Sequence, residues 1–189
     1  MKTEANRETK ETKIYLRLEY PATSREIKIE CGFLAHMLDL MCHRAGLGVS
    51  LAAKGDVEVD YHHLTEDVGI MFGRCLKEIA GAEQRRRYGW CLLPMDGSLV
   101  RVALDFSGRG GCYFKGGFPG GRCGGFDLEL VPEFFRALTR EGGITLHVGI
   151  LEADNSHHVS EAIFKGVGMA LSQALTPSTA DPSTKGVWL

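Results

Sequence analysis

The strongest constraint on the fold is an internal repeat. The segment GVSLAAKGDVEVDYHHLTE from Gly48 aligns without gaps with GITLHVGILEADNSHHVSE from Gly143, an offset of 95 residues. The alignment places the motif HHLTE at 62–66 on the motif HHVSE at 157–161. A repeat that keeps both pattern and motif predicts two copies of one structural unit that share a core. We expect half-domains at residues 1–93 and 94–189, joined as one compact unit.

Apolar periodicity predicts the same elements in each half. After each histidine pair, apolar residues recur at i, i+4, i+7, i+8 and i+11, which is the stripe of a helix with one buried face. A further helix is predicted earlier in each half, over 33–44 and 132–139. Apolar runs or alternation predict strands at 14–20, 48–53 and 144–151. Strands followed by helices, twice, indicate an α+β fold built by tandem duplication.

Composition excludes several classes of function. The 189 residues include 22 Lys and Arg against 24 Asp and Glu, a formal net charge of −2. No overall positive field favours nucleic acid or an anionic membrane, so neither is expected as a partner. No apolar run approaches the ~18 residues that cross a bilayer, and a cytoplasmic location is expected. Six singly scattered cysteines predict reduced thiols.

A glycine-rich segment, SGRGGCYFKGGFPGGRCGGF at 107–126, separates the repeated strands. A phosphate-cradling loop requires a Walker Lys-Ser/Thr or a GxGxxG between a strand and a helix, and the segment has neither. We therefore expect an irregular hairpin or loop here.

The paired HHxxE motifs are the strongest chemical signal. Residues i and i+4 share a helix face, so the first histidine and the glutamate of each motif are placed to bind one metal ion. The second histidine points about 100° away and is placed to reach an ion held by another helix. One such motif alone is also typical of a polar helix start, but two in register favour two metal sites. Imidazoles with one carboxylate suit Mn, Fe, Co, Ni or Zn, and a further ligand is available from His36 or His147.

Seven short motifs resemble those of the imidazoleglycerol-phosphate dehydratase family. They are HML at 36–38, HHLTED at 62–67, PMD at 94–96, SGR at 107–109, TLH at 145–147, NSHHVSEAIFK at 155–165 and PSTKGV at 182–187. They occur in the family's order, and the likeness runs from Arg7 almost to the C-terminus. The paired HHxxE motifs with the terminal STKG are highly specific.

The resemblance implies a fold, a cofactor and an assembly. The fold is a tandem α+β duplication whose helices are sandwiched between two four-stranded sheets (ribosomal protein S5 domain 2-like). The cofactor is two Mn(II) ions per subunit at interfaces between subunits, in a 24-subunit homo-oligomer that assembles with metal. The implied metal ligands are His36, His62, His63, Glu66, His147, His157, His158 and Glu161.

The resemblance also implies how substrate is bound and converted. Phosphate would be bound by Arg87, Arg109, Lys165, Ser183 and Lys185. The reaction removes water from imidazoleglycerol phosphate to give imidazole acetol phosphate, with the substrate imidazole placed on the metals. A carboxylate would move the proton: Glu161, with Glu11 as the rival, while Asp96 matches another acidic position of the active-site region. Which carboxylate does so is open at this point.

Two alternatives to the family reaction remain open, and the first follows from departures from the family pattern. Ala35, Leu40 and Gly97 replace the usual Asp, Gln and Glu, which allows a catalytically lapsed relative that keeps its metals and assembly as a structural protein. The second alternative is a different metal-dependent lyase or hydrolase on the same scaffold. The retained cationic and hydroxyl residues at family phosphate positions argue against a substrate that lacks phosphate.

Overall fold

A computed structural model describes residues 1–179 and contains two sheets with two long helices each. The first half contains β1 (Lys2–Glu8), β2 (Thr12–Glu19), β3 (Arg25–Ile29), α1 (Gly32–Ala45), β4 (Gly48–Gly55) and α2 (His62–Gly81). The second contains β5 (Tyr88–Met95), β6 (Ser98–Asp105), β7 (Gly111–Lys115), β8 (Arg122–Cys123), β9 (Phe126–Asp127), α3 (Leu130–Gly142), β10 (Thr145–Glu152) and α4 (Ser156–Ala174).

The two sheets have the same topology. Their strand orders are β1-β2-β4-β3 and β5-β6-β10-β7. In each sheet the edge strand that precedes a helix pairs in parallel with its neighbour, β3 with β4 and β7 with β10, and the other pairs are antiparallel. The short strands β8 and β9 form a separate hairpin. The tandem α+β duplication is therefore confirmed.

The core lies between the sheets. Alternate residues of the second strand of each sheet are buried, namely Ile14, Leu16 and Leu18 in β2 and Val100, Val102 and Leu104 in β6. Helix α1 packs against α4 and α2 packs against α3, so the helices of one half contact those of the other. The helices are thus sandwiched between two four-stranded sheets. Within residues 1–179, no helix has the length and apolar character needed to cross a bilayer.

Helix ends follow local chemistry. Helices α1 and α3 both end at a glycine in the left-handed region, Gly46 with φ 67° and Gly143 with φ 63°. Glycine adopts this conformation at no steric cost, and the backbone N–H of each bonds the last turn of its helix. Both helices extend one or more residues beyond the predicted bounds at each end.

Two features of the second half differ from the sequence-based expectation: the structure of the glycine-rich segment and the point at which the half begins. The glycine-rich segment does contain a short hairpin, β8–β9, but β7 within it is a regular strand of the second sheet. Its few apolar residues carry little periodic signal, and its place depends on backbone pairing with β10. The division expected between residues 93 and 94 falls inside β5, so the change of sheet occurs earlier, after α2.

Candidate active site

Helices α1 and α4 bring three predicted ligands together. The Nε2 atom of His36 lies 2.9 Å from Oε1 of Glu161, and Nε2 of His157 lies 3.2 Å from the same oxygen. One donor atom from each residue can be chosen so that all three lie within 4.8 Å of one another. Among residues 1–179, this is the group of histidine, cysteine and carboxylate side chains that is arranged to hold a metal ion.

The start of α4 positions this cluster. The side chain of Asn155 accepts hydrogen bonds from the backbone N–H groups of His157 and His158, at 2.8 and 3.2 Å, and so caps the helix. Since α4 begins there, His157 and Glu161 lie one turn apart on one face. One turn further, Nζ of Lys165 donates to Oε2 of Glu161 at 2.6 Å, as the i+4 spacing predicts.

The surroundings of Glu161 keep it ionised. Burial alone raises the pKa of Glu161, since its side chain is only 11% exposed. Hydrogen bonds from Lys165 and His36, the positive charge of Lys165 and the hydrogen bond from His157 outweigh burial, and the pKa of Glu161 falls to about 2. Glu161 is therefore a carboxylate, the form that binds metal, throughout the physiological pH range.

The equivalent motif of the first half is arranged differently. Glu66 accepts a hydrogen bond from Arg140 of α3 at 3.1 Å. His62 lies at the exposed start of α2, and its ring centroid is 6.0 Å from that of His63. His62, Glu66 and His147 are thus not brought into the His36–His157–Glu161 cluster within one chain.

His63 and His158 each lie between two carboxylates. Nδ1 of His63 is 3.0 Å from Asp56, and its Nε2 is 3.9 Å from Glu11 in the β1–β2 turn. The hydrogen bond to Asp56 raises the pKa of His63. His158 has Nδ1 3.5 Å from Asp154 and Nε2 3.6 Å from Asp96 in the β5–β6 turn.

His147 lies on the opposite face of the second sheet from the core. Its neighbours in β10, Leu146 and Val148, are buried, whereas His147 is exposed and stacks on Tyr113 with ring centroids 4.6 Å apart. A ligand role for His147 therefore requires an ion that lies outside the helical core of this chain.

The predicted phosphate-binding residues have three different settings. Arg87 forms a two-pronged ion pair with Asp105, with Nε to Oδ1 at 2.6 Å, and this hydrogen bond raises the pKa of Arg87. Arg109 is exposed in the β6–β7 loop, and Lys165 is held by Glu161. Two more, Ser183 and Lys185, lie outside the described residues.

Backbone conformation marks two of the predicted site residues. Arg87, with φ 74°, and Asp96, with φ 48°, are the non-glycine residues of positive φ in the described part of the chain. Asp96 begins the two-residue hairpin turn between Met95 and Ser98, where a positive φ is the usual conformation for Asp-Gly. Arg87 has no such turn, and strain of this kind is concentrated at functional sites.

An open cleft adjoins the cluster. It has a volume of about 660 Å³, and its lining includes Phe33, Arg122, Asn155 and His157. The β8–β9 hairpin forms one wall, with the backbone N–H of Gly120 bonded to Ser156 at the start of α4. A small polar molecule placed there would lie beside the imidazole of His157.

Sequence reasoning missed Asp56 and Asp154. In the gapless repeat alignment Asp56 falls opposite Leu151, and Asp154 falls opposite Val59, so neither aspartate is marked by the repeat. The available signal was weaker: each precedes a histidine pair by a few residues, in the turn between strand and helix.

The family model for imidazoleglycerol-phosphate dehydratase matches residues 29–171. Over 186 residues the chain is 47% identical to the imidazoleglycerol-phosphate dehydratase of Azorhizobium caulinodans, covering 95% of this chain and 94% of that one. It is 46% identical to the enzyme of the same name from Bacillus cereus strain B4264, covering 96% of each.

Solved structures agree with the sequence comparisons. The crystal structure of imidazoleglycerol-phosphate dehydratase from Staphylococcus aureus superposes with a TM-score of 0.87 at 36% identity, covering 94% of this chain and 100% of that one. The structure of the enzyme from Pyrococcus furiosus gives a TM-score of 0.87 at 37% identity, covering 97% and 99%. Sequence and fold therefore agree over nearly the whole chain.

Proposed function

The chain belongs to the imidazoleglycerol-phosphate dehydratase family, and on that premise we propose how its residues build the active site. It is a hydro-lyase of histidine biosynthesis that dehydrates D-erythro-imidazoleglycerol phosphate to imidazole acetol phosphate. The observation that carries the assignment of the site is the convergence of His36, His157 and Glu161 on one point between two helices. No observation favours the catalytically lapsed alternative.

The residues present fit a divalent transition metal. Two imidazoles and an ionised carboxylate are the ligand types that such ions prefer, and Glu161 is held ionised by Lys165. We propose that His36, His157 and Glu161 hold one Mn(II). A second Mn(II) would be held by ligands from the set His62, His63, Glu66, His147 and His158.

The separation of this second set favours shared sites. His147 is on the outer face of the second sheet, while His62 and His63 begin a helix of the first half. We infer that ligands on separate parts of the surface of one chain complete a metal site when chains associate. The proposal is therefore a homo-oligomer of 24 subunits held by metal, in a cytoplasmic setting that suits the six free thiols.

The metal, when bound, supplies a Lewis acid and a template for the substrate imidazole. The chain's own groups orient the substrate and move the proton. We propose Arg87 and Arg109 as phosphate partners. In support, the ion pair with Asp105 fixes the position of the Arg87 guanidinium, and Arg109 is exposed beside the second sheet. Lys165, and by family position Ser183 and Lys185, complete the proposed phosphate set.

The proton carrier is better assigned to Glu11 than to Glu161. A carboxyl whose pKa is about 2 is a weak base near neutral pH, and Glu161 already accepts three hydrogen bonds. Glu11 is half exposed in the β1–β2 turn and faces His63. Asp96 occupies the corresponding turn of the second half, facing His158, and is the other candidate.

Turnover and metal content together test this assignment. Purified Mn(II)-loaded protein is expected to convert imidazoleglycerol phosphate to imidazole acetol phosphate. The Glu11→Gln variant should lose turnover and retain bound manganese, whereas His157→Ala should lose both. Full turnover in Glu11→Gln would contradict the proton role, and normal manganese content in His157→Ala would contradict the metal site.

A further inference from the structure

His63 and His158 have matching surroundings in the two halves. Each ring has Nδ1 near an aspartate from the turn before its helix. Asp56 is hydrogen-bonded to Nδ1 of His63 at 3.0 Å, whereas Asp154 lies 3.5 Å from Nδ1 of His158, a buried nitrogen with no hydrogen-bond partner within residues 1–179. On the other side of each ring, Nε2 faces a carboxylate from the hairpin turn of the same sheet at 3.9 and 3.6 Å. The arrangement recurs although the two aspartates do not align in the sequence repeat.

The carboxylate at Nδ1 determines which nitrogen of a neutral ring carries the proton. A neutral imidazole has one N–H donor and one acceptor, and an ionised aspartate accepts only. The proton therefore resides on Nδ1, and Nε2 becomes an acceptor. Nε2 of His63 lies beyond hydrogen-bond distance of the turn carboxylate, at 3.9 Å, so its lone pair is available to a cation.

We propose that Asp56 is a positioning residue that holds the Nδ1 proton of His63 and so presents its Nε2 atom for metal binding. This inference rests on the proposed function. A carboxylate behind a metal-binding histidine fixes the ring orientation and makes the ligand more basic. Asp56 acts through the imidazole of His63 and is not a ligand itself.

Asp56 provides the cleaner test of the two. The side-chain contacts of Asp56 are with His63, at 3.0 and 3.2 Å. Asp154 also accepts hydrogen bonds from Ser98 and from the backbone N–H of Gly97, and so it additionally anchors the turn that carries Asp96. A change at Asp154 therefore disturbs both the ring and the turn.

The experiment measures Mn(II) dissociation constants of intact protein by electron paramagnetic resonance of free Mn(II). Asp56→Ala should bind the Mn(II) ions that His63 ligates about tenfold to a hundredfold more weakly than the wild type does. Asp56→Asn should lie between that variant and the wild type, because its amide oxygen still accepts from Nδ1. The control is Glu133→Gln on α3, whose side chain is 23% exposed against 22% for Asp56; it should bind like the wild type.

Several outcomes overturn the inference. Wild-type affinity in Asp56→Ala, while His63→Ala loses manganese, would contradict it and leave the proposed function standing. Equal loss in the Ala and Asn variants would mean that only the negative charge matters, not the position of the ring. If Asp56→Ala does not fold, Asp56→Asn decides, and wild-type affinity in that variant contradicts the inference. A wild-type protein that bound no Mn(II) would contradict both proposals.

Discussion

Replacing Glu161 with glutamine should destabilise the metal-free protein by about 3 kcal/mol at pH 7. The surroundings lower the pKa of Glu161 from 4.5 to about 2. A shift of one unit corresponds to about 1.4 kcal/mol, so this one contributes about 3 kcal/mol. The same figure follows from the contacts, since breaking a buried ion pair costs about 3 to 5 kcal/mol and leaves Lys165, 17% exposed, without its carboxylate.

The stabilising contribution of Glu161 should decrease as the pH falls. Because the folded-state pKa of Glu161 lies below its unfolded value, the contribution is complete above pH 4.5 and is lost as pH falls toward 2. Urea unfolding of chelator-treated wild type and Glu161→Gln should differ by about 3 kcal/mol at pH 7 and by about 1 kcal/mol at pH 3. Glu133→Gln, which breaks a surface i,i+3 pair, should change stability by less than about 0.5 kcal/mol. A difference for Glu161→Gln below about 1 kcal/mol at pH 7, or one that does not shrink in acid, would refute the reasoning.

Three further predictions concern metal, substrate and packing. Manganese content and turnover, measured together from pH 8 to pH 5, should fall together as the pH falls, because protons compete with metal for the ligand imidazoles while Glu161 stays ionised; activity that persists in metal-free buffer at pH 5 would contradict this. Lys185→Ala should raise KM about tenfold to a hundredfold at unchanged manganese content, and an unchanged KM would exclude a phosphate role. Gly89→Ala should lower the free energy of unfolding by about 1 to 3 kcal/mol or more, and lower Tm with it, since its Cβ would overlap the carbonyl oxygen of Ala170; a wild-type Tm in calorimetry would show that β5 can move off α4.

The repeat and the helical stripes could be predicted because both are patterns in the order of the residues themselves. Apolar residues at helical spacing predicted α2 and α4, and the i+4 rule correctly placed Glu161 beside His157 and Lys165. His36 could be named as a further ligand from the family motif. That it meets Glu161 depends on the packing of α1 against α4, which no local pattern encodes.

The features that the sequence did not predict depend on contacts between segments that are far apart in the chain. Strand β7 is specified by pairing with β10, and its own residues show little periodicity. Gly97, a departure from the family pattern, gains its meaning only in the fold: its backbone N–H donates to Asp154 at 3.2 Å, and a Cβ there would lie 2.9 Å from that carboxylate. Glu66 was expected to share a ligand face with His62 at the i+4 spacing. In the structure it accepts a hydrogen bond from Arg140, which comes from the other half.

The central claim, that metal both completes the active site and joins subunits, is tested most directly by light scattering with parallel turnover assays before and after chelation. The proposed ligands His147 and His36 lie on different faces of one chain, so under this proposal the free energy of metal binding would become free energy of assembly. The account predicts that a chelator converts a large symmetric particle into smaller folded oligomers without activity, and that Mn(II) restores both mass and turnover. An unchanged particle mass in protein shown to be free of metal would contradict it.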